Sequence, residues 1–414
     1  MKSNVTKYEE YKVLNVDWIK EVPKHWQLKR IKDMGEYQSG EFINAEDFDD
    51  ENQYPVYGGN GFRGLAKKFN HKGEYILIGR QGALCGNINY ANGKFWATEH
   101  AVVVYKKKKI DTRWYGELLK VMNLNRHAIS AAQPGLSVEK IKRLEIIVPP
   151  LDEQIAISQY ISTKTEAIDK QIGSLEKKIL LYKELTLSLI QNSVLRGLNK
   201  NVELRPSGVE WIGEIPCHWK IERAKDVFYE VKAKSKTGSE DLLSVSEYYG
   251  VARKSDVVDD DTIALSRAES LEDYKLCRKG DLVINIMLAW KMGLGITEFD
   301  GIVSPSYAVY RQYSKNVTKY YHYLLRIGLY TSEFKKNSKG IIESRLRLYS
   351  DSFYNVPMVV PPIEEQKQIV EFLETRTKTI EAIVKNISKQ IITLKEYKKT
   401  LVESLIKGEI KPTN

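Results

Sequence analysis

Cysteine is scarce in this 414-residue chain: Cys85, Cys217 and Cys277 stand far apart and form no CxxC pair. That excludes a disulfide scaffold or a thiolate zinc site and points to a reducing compartment. Long apolar runs are missing too. The longest, Leu282 to Trp290, is broken by Asn285 and too short to cross a bilayer. The opening MKSNVTKYEEYK carries no apolar signal core. The expectation is a soluble, cytoplasmic protein with no membrane partner. Catalytic signatures are equally absent. No GxGxxG follows a strand, and no GxxxxGK[ST], GxSxG or HExxH occurs. The six histidines (25, 71, 100, 127, 218 and 322) show no ligand spacing, so no catalytic residue, cofactor site or metal site is assigned. His25 and His218 read as packing residues. The run Asp259-Asp-Asp261 has no spaced partner carboxylate and reads as a solvated loop. Gly58 to Gly61 lacks the Lys-Ser/Thr of a phosphate loop and reads as a turn bringing backbone close to a ligand.

What is present is globular composition, 42% hydrophobic and 29% charged, in a chain too long for one core. The net charge of +10 suits a polyanionic partner.

The chain also repeats itself. Trp18-Ile-Lys-Glu-Val-Pro-Lys-His-Trp26 recurs as Trp211-Ile-Gly-Glu-Ile-Pro-Cys-His-Trp219, with six of nine positions identical at an offset of 193. Val148-Pro-Pro-Leu-Asp-Glu-Gln154 recurs as Val360-Pro-Pro-Ile-Glu-Glu-Gln366 at an offset of 212. Each Pro-Pro is followed by a long proline-free stretch. The plan is a variable globular unit and then a long helix, twice over.

Both helices carry the same apolar register. In the first it runs through Ile161, Ile168, Ile172, Leu175 and Ile179. In the second it runs through Leu373, Ile380, Val384, Ile387 and Ile391. A spacing averaging 3.5 marks a coiled-coil seam. The shared register points to helices that pair with each other; the other reading packs each on its own globular unit. Acidic first turns (Asp152-Glu153, Glu364-Glu365) and terminal Gly197 and Gly408 set their ends. The globular units read as mixed α/β. Strands are expected at Tyr75–Ile78, Ala101–Tyr105 and Asp281–Ile284, and helices at Trp114–Asn125 and Lys319–Tyr330.

The remaining chemistry suits nucleic acid. Residues 1–147 have net charge +6, and their loops carry Tyr57, Asn60, Arg63, Arg80, Gln81, His100 and Gln133. Residues 201–359 have net charge only +1, and the comparable loops carry Tyr248, Arg253, Trp290, Lys291, Arg345 and Arg347. Arg and Gln are the side chains that pair with guanine and adenine edges. Lys106 to Lys109 reads as a solvated run or a phosphate contact.

In these motifs the chain resembles the specificity (S) subunits of Type I restriction-modification systems, over essentially its whole length. The carriers are the two Trp-flanked openings, the two Pro-Pro junctions and the helices after them. Within the second unit they are Leu243–Arg253, Leu282–Lys291 and Gly301–Tyr307. The resemblance implies an α/β (α+β) tandem with an internal pseudo-twofold repeat. Its parts are target recognition domains at 1–147 and 201–359 and helical spacers at 148–200 and 360–414, the two long helices pairing as an antiparallel coiled coil. It implies that each domain reads one half of a bipartite, asymmetric site on double-stranded DNA. Two methyltransferase (M) subunits would dock on the helices, and restriction (R) subunits would join. Relatives often carry Arg where this chain has Ile286, so a contact made there does not carry over. S-adenosylmethionine would belong to the M partner, and ATP and Mg to the R partner; this chain would be non-catalytic. Other readings are a nuclease or methyltransferase with a divergent site, an adaptor that does not bind DNA, and a specificity protein for one fused restriction-methylation enzyme.

Overall fold

The computed structural model describes residues 6–48, 53–82, 84–128, 135–256, 270–313 and 316–413. Gln133 and the Asp259–Asp261 run lie outside them. The chain forms two compact units, Met1–Glu176 with Ser388–Asn414, and Lys177–Ile387. Each long helix, α1 (Leu151–Arg196) and α2 (Ile363–Lys407), contributes one half to each unit.

The first unit holds a four-stranded antiparallel sheet ordered Gly35–Ser39, Ala101–Lys106, Tyr75–Gly79, Ile88–Ala91. Ile76, Leu77, Ile78, Val102, Val103 and Val104 are all buried, so both faces of this sheet are covered. Helix Thr112–Val121, capped by Asp111 accepting from the Trp114 amide at 2.8 Å, covers one face. Phe95, Ala97 and Tyr57 of a second sheet close the other. The second unit repeats the strand order with Phe228–Glu230, Tyr307–Gln312, Leu282–Asn285 and Leu294–Ile296. One face packs on the hairpin Leu243–Ser246/Gly250–Arg253 through Val245, Val251 and Val283. The other packs on helices Thr318–Leu324 and Gly328–Asn337 through Phe228, Tyr321 and Phe334. The single helix expected at Lys319–Tyr330 is thus two. The chain leaves the first at Leu325 and restarts at Gly328, which turns Arg326 out of either helix.

Each unit leads into its long helix the same way. Gln27–Arg30 pairs with Glu145–Val148, and Lys220–Arg223 pairs with Pro357–Val360, just before each Pro-Pro. The buried glutamine of each junction then satisfies backbone groups that have no other partner among the described residues. Gln154 donates to the Pro149 carbonyl (2.9 Å) and accepts from the Asp111 amide (3.0 Å). Gln366 does the same with Pro361 (2.8 Å) and Val317 (3.0 Å). A buried peptide group without a partner is costly, which explains the glutamine in both copies.

The adjacent glutamate ties the junction to the tryptophan motif. Trp26 donates its indole N–H to Glu153 at 3.0 Å, and His25 meets the other carboxylate oxygen at 2.5 Å. Trp219 and His218 hold Glu365 at 3.0 and 2.6 Å. The two tryptophans are buried, but the histidines are half-exposed partners of a carboxylate rather than packing residues.

The helices end on the opposite repeat. Gly197 and Gly408 both have φ +73°, the left-handed conformation that favours glycine. A Cβ on Gly197 would lie 3.1 Å from Trp219, within the second unit. A Cβ on Gly408 would lie 3.0 Å from Trp26, within the first. In the first unit α1 and α2 run antiparallel, with Lys398 Nζ 2.6 Å from Asp169 and Lys395 Nζ 3.7 Å from Glu176. In the second, Val194 and Leu195 of α1 share a core with Ile369, Val370 and Leu373 of α2. Along the expected seam Ile161, Ile168, Ile172, Leu373, Ile380, Ile387 and Ile391 are buried, and Leu175, Ile179 and Val384 are half-buried. Each helix therefore packs both on its own globular domain and on the other helix.

Candidate nucleic-acid recognition surfaces

In the first unit the glycine run forms the turn at the tip of a hairpin, Tyr54–Gly58/Gly61–Ala66. The tip lies directly on backbone. A Cβ on Gly59 would sit 3.0 Å from the Gln81 carbonyl and 3.3 Å from that of His100, and a Cβ on Gly79 only 2.0 Å from the Gly59 carbonyl. The Arg80 amide donates to the His100 carbonyl at 2.8 Å. Asn60, Arg80, Gln81 and His100 are thereby brought together on one surface. Asn60, Arg80 and Gln81 are exposed, and Arg80 reaches Ser39 Oγ at 3.1 Å. His100 faces Glu99 at 3.1 Å. Arg63 is exposed, but its guanidinium lies over the Phe48 ring at 5.6 Å. Tyr57 is half-buried, edge-on to Phe95 at 5.7 Å, and serves the core more than the surface. Phe62, largely exposed beside the tip, is a surface residue that loop composition did not single out.

The second unit presents three neighbouring loops. The hairpin tip Glu247-Tyr248-Tyr249 leaves Tyr248 84% exposed. The turn Ala289–Lys291 holds Trp290 by its indole N–H to the Met287 carbonyl (3.1 Å), with Lys291 and Lys335 ammonium groups each 5.0 Å from the Trp290 ring. The third loop is closed by paired backbone bonds between Lys339 and Arg347 at 2.9 and 3.0 Å. It carries Arg345 and Arg347 and a wholly exposed Ile341. Lys335 links it to the turn by pairing with Glu343 at 2.5 Å. Tyr248, Trp290, Lys291, Arg345 and Arg347 therefore share a surface. Arg253 does not join them: it sits at the far end of its strand, paired with Asp241 at 3.1 Å and lying over Phe299 at 4.6 Å. Ile286 is half-buried against the core, its carbonyl accepting from the Leu348 amide at 2.8 Å.

Behind this surface lie two residues that sequence reading passed over. His322 is enclosed, accepts from the Ile296 amide at 3.4 Å, and is pulled down to about 4 by burial, with Arg326 and Lys319 adding to the effect. Arg326 donates to four carbonyls and pairs with no carboxylate among the described residues. Nothing in its sequence neighbourhood separates it from an ordinary surface arginine.

Away from the seam the long helices expose apolar side chains at equivalent positions. Leu180 and Leu185 on α1, in the second unit, correspond to Ile392 and Tyr397 on α2, in the first, at the 212-residue offset. Each is about half exposed or more. No helix among the described residues is long and apolar enough to cross a membrane.

Comparison with known proteins agrees with this twofold plan. The model of the Type I restriction modification DNA specificity domain matches twice, at residues 23–177 and 216–393. The specificity subunit of the Type I restriction enzyme EcoprrI from Escherichia coli is 42% identical over 137 residues, 32% of this chain and 34% of that protein. The match therefore spans about a third of that relative's length. The MjaVIII specificity subunit from Methanocaldococcus jannaschii is 22% identical over 95% of both chains. Among solved structures, a chain from work on complex assembly and conformational transition of the type I R-M system aligns at TM-score 0.65 and 13% identity. It covers 94% of this chain and 99% of that one. The HsdS subunit from Thermoanaerobacter tengcongensis aligns at TM-score 0.54 and 14% identity, covering 94% and 98%. With two tandem copies of the domain across most of its length, this chain belongs to the Type I restriction modification DNA specificity family.

Proposed function

We propose that the chain is the non-catalytic, sequence-reading subunit of a cytoplasmic Type I restriction-modification complex. Each unit reads one half of a bipartite, asymmetric site on double-stranded DNA. Two copies of a methyltransferase subunit dock on the helices, and restriction subunits complete the assembly. S-adenosylmethionine is held by the methyltransferase partner, and ATP and Mg by the restriction partner. The observation that carries this reading is the duplication at the level of surfaces. Each unit bears its own cluster on glycine-shaped loops, arginine and amide side chains in the first and arginine, lysine and aromatic side chains in the second, so the two differ in sequence. Different surfaces on equivalent scaffolds suit an asymmetric site. Apolar pairs at equivalent helix positions suit two copies of one partner.

The test is methylation profiling of DNA by the complex reconstituted with its methyltransferase partner. A split motif is expected. Arg80→Ala weakens discrimination in one half only, by about 1–3 kcal/mol for a bidentate guanine contact. Loss spread equally over both halves would demote Arg80 to a phosphate or structural role, and absence of any sequence preference would sink the reading.

A further inference from the structure

Arg326 stands where two recognition loops meet. One nitrogen, Nη1, donates to the carbonyls of Met292 and Leu294, both at 2.7 Å. The other, Nη2, donates to those of Glu247 (2.8 Å) and Tyr248 (3.0 Å). Two acceptors thus belong to the strand entry after the Trp290 turn and two to the Tyr248 hairpin tip. The approach that makes this possible depends on glycine: a Cβ on Gly295 would lie 3.2 Å from the Gly250 Cα, and one on Gly250 would lie 3.6 Å from Arg326 Nη1. Met292 is held at φ +63°, a strained conformation for a residue with a side chain, and its carbonyl is one of the four acceptors. A mostly buried guanidinium without a carboxylate is expensive, and among the described residues it is main-chain carbonyls that compensate it. Those carbonyls are fixed points of the loops, whatever side chains the loops carry. A planar fork of donors can hold all four carbonyls of the two loops at once, whereas a lysine ammonium has three donors on a flexible stem.

We propose that Arg326 is the positioning residue of the second recognition surface, fixing the Tyr248 hairpin and the Trp290 turn in one mutual arrangement so that both meet DNA together. This rests on the reading of that surface as DNA-binding. Arg326 itself need touch no base.

Two measurements on the Arg326→Lys variant test it. In methylation profiling of the reconstituted complex, discrimination in one half of the motif should fall by about tenfold or more, the scale of one lost charge-assisted hydrogen bond. The half left unchanged should be the one that Arg80→Ala alters. In hydrogen exchange on the full chain, residues 246–250 and 287–294 should lose protection together while Leu282–Asn285 and Tyr307–Gln312 keep theirs. Wild-type discrimination in both halves would overturn the proposal. So would loss of protection throughout the second unit, which would make Arg326 a residue of general stability. If the wild-type complex reads no split motif, the functional reading fails, and the exchange experiment still decides whether Arg326 couples the loops.

Discussion

Trp219 donates its indole N–H to Glu365 at 3.0 Å, across 146 positions of sequence, and Trp26 makes the same bond to Glu153. The two sequence motifs of each repeat are thus halves of one device that fastens the start of a long helix to the strand leading into the globular domain. Removing the carboxylate with Glu365→Ala leaves a buried indole N–H without an acceptor, which costs about 1–3 kcal/mol. Glu365→Gln keeps an amide oxygen in reach and should lose less. His218→Ala removes only a half-exposed partner and should cost no more than about 1 kcal/mol. Chemical unfolding of the three variants checks the order. Equal losses for Ala and Gln would mean that the indole bond contributes little.

His322 supplies a pH dependence. Its folded value of about 4 lies below the 6.5 of an unfolded histidine, because burial opposes the charged ring and Arg326 and Lys319 face it, with Glu298 opposing weakly. Between those values the unfolded chain binds the extra proton. The contribution is therefore complete above about pH 6.5 and is lost as pH falls towards 4, by up to about 3 kcal/mol. His322→Asn retains an acceptor for the Ile296 amide and should flatten this part of the curve. The measurement is the wild-type minus variant unfolding free energy from pH 7 to 4; a constant difference would count against it.

Much of this architecture was legible because it is periodic or repeated. The heptad register, the Pro-Pro junctions and the terminal glycines depend on local rules, and the helices begin and end where those rules put them. What escaped depends on distance in the chain. No spacing rule connects Trp219 to Glu365, so His218 beside it read as packing. Nor does the sequence reveal that α1 ends on the tryptophan of the second repeat and α2 on that of the first. Arg326 was invisible for another reason: its partners are carbonyls, which every residue possesses. Among the recognition candidates, composition selected Arg80 and Trp290 together with Arg253, which the fold ties to Asp241 and Phe299 instead.

The exchange of helix halves gives a localised prediction. Ile168 and Ile391 are both buried in the first unit. Replacing Ile168 with Asp buries a charge without a partner and should cost about 3 kcal/mol or more there. Residues 388–413 should then become sensitive to limited proteolysis, while the second unit, including residues 363–387 of the same helix, stays resistant. Even loss of protection along the whole of α2 would show that its halves are not separately anchored.

If each unit reads one half-site as proposed, the spacing between half-sites should respond to helix length by a step that geometry gives. A four-residue insertion lengthens an α-helix by about 6 Å and turns it by about 40° beyond one full turn. In a coiled coil such an insertion is a stutter, which unwinds the seam locally without destroying it. One base pair advances DNA by about 3.4 Å and turns it by about 35°. Rotation therefore matches one base pair closely, while translation exceeds it by less than one further step. A wrong rotation would turn a half-site's groove away from the unit that reads it, so the match in rotation decides the step. Inserting four residues after Glu176 in α1 and four after Ile387 in α2 should accordingly give a motif whose two half-sites are unchanged and whose unspecified gap is one base pair longer. Methylome sequencing of a strain carrying the variant reads this directly. A gap of the old length, with either half-site altered, would mean that the spacing is set within the recognition loops and not by the helices.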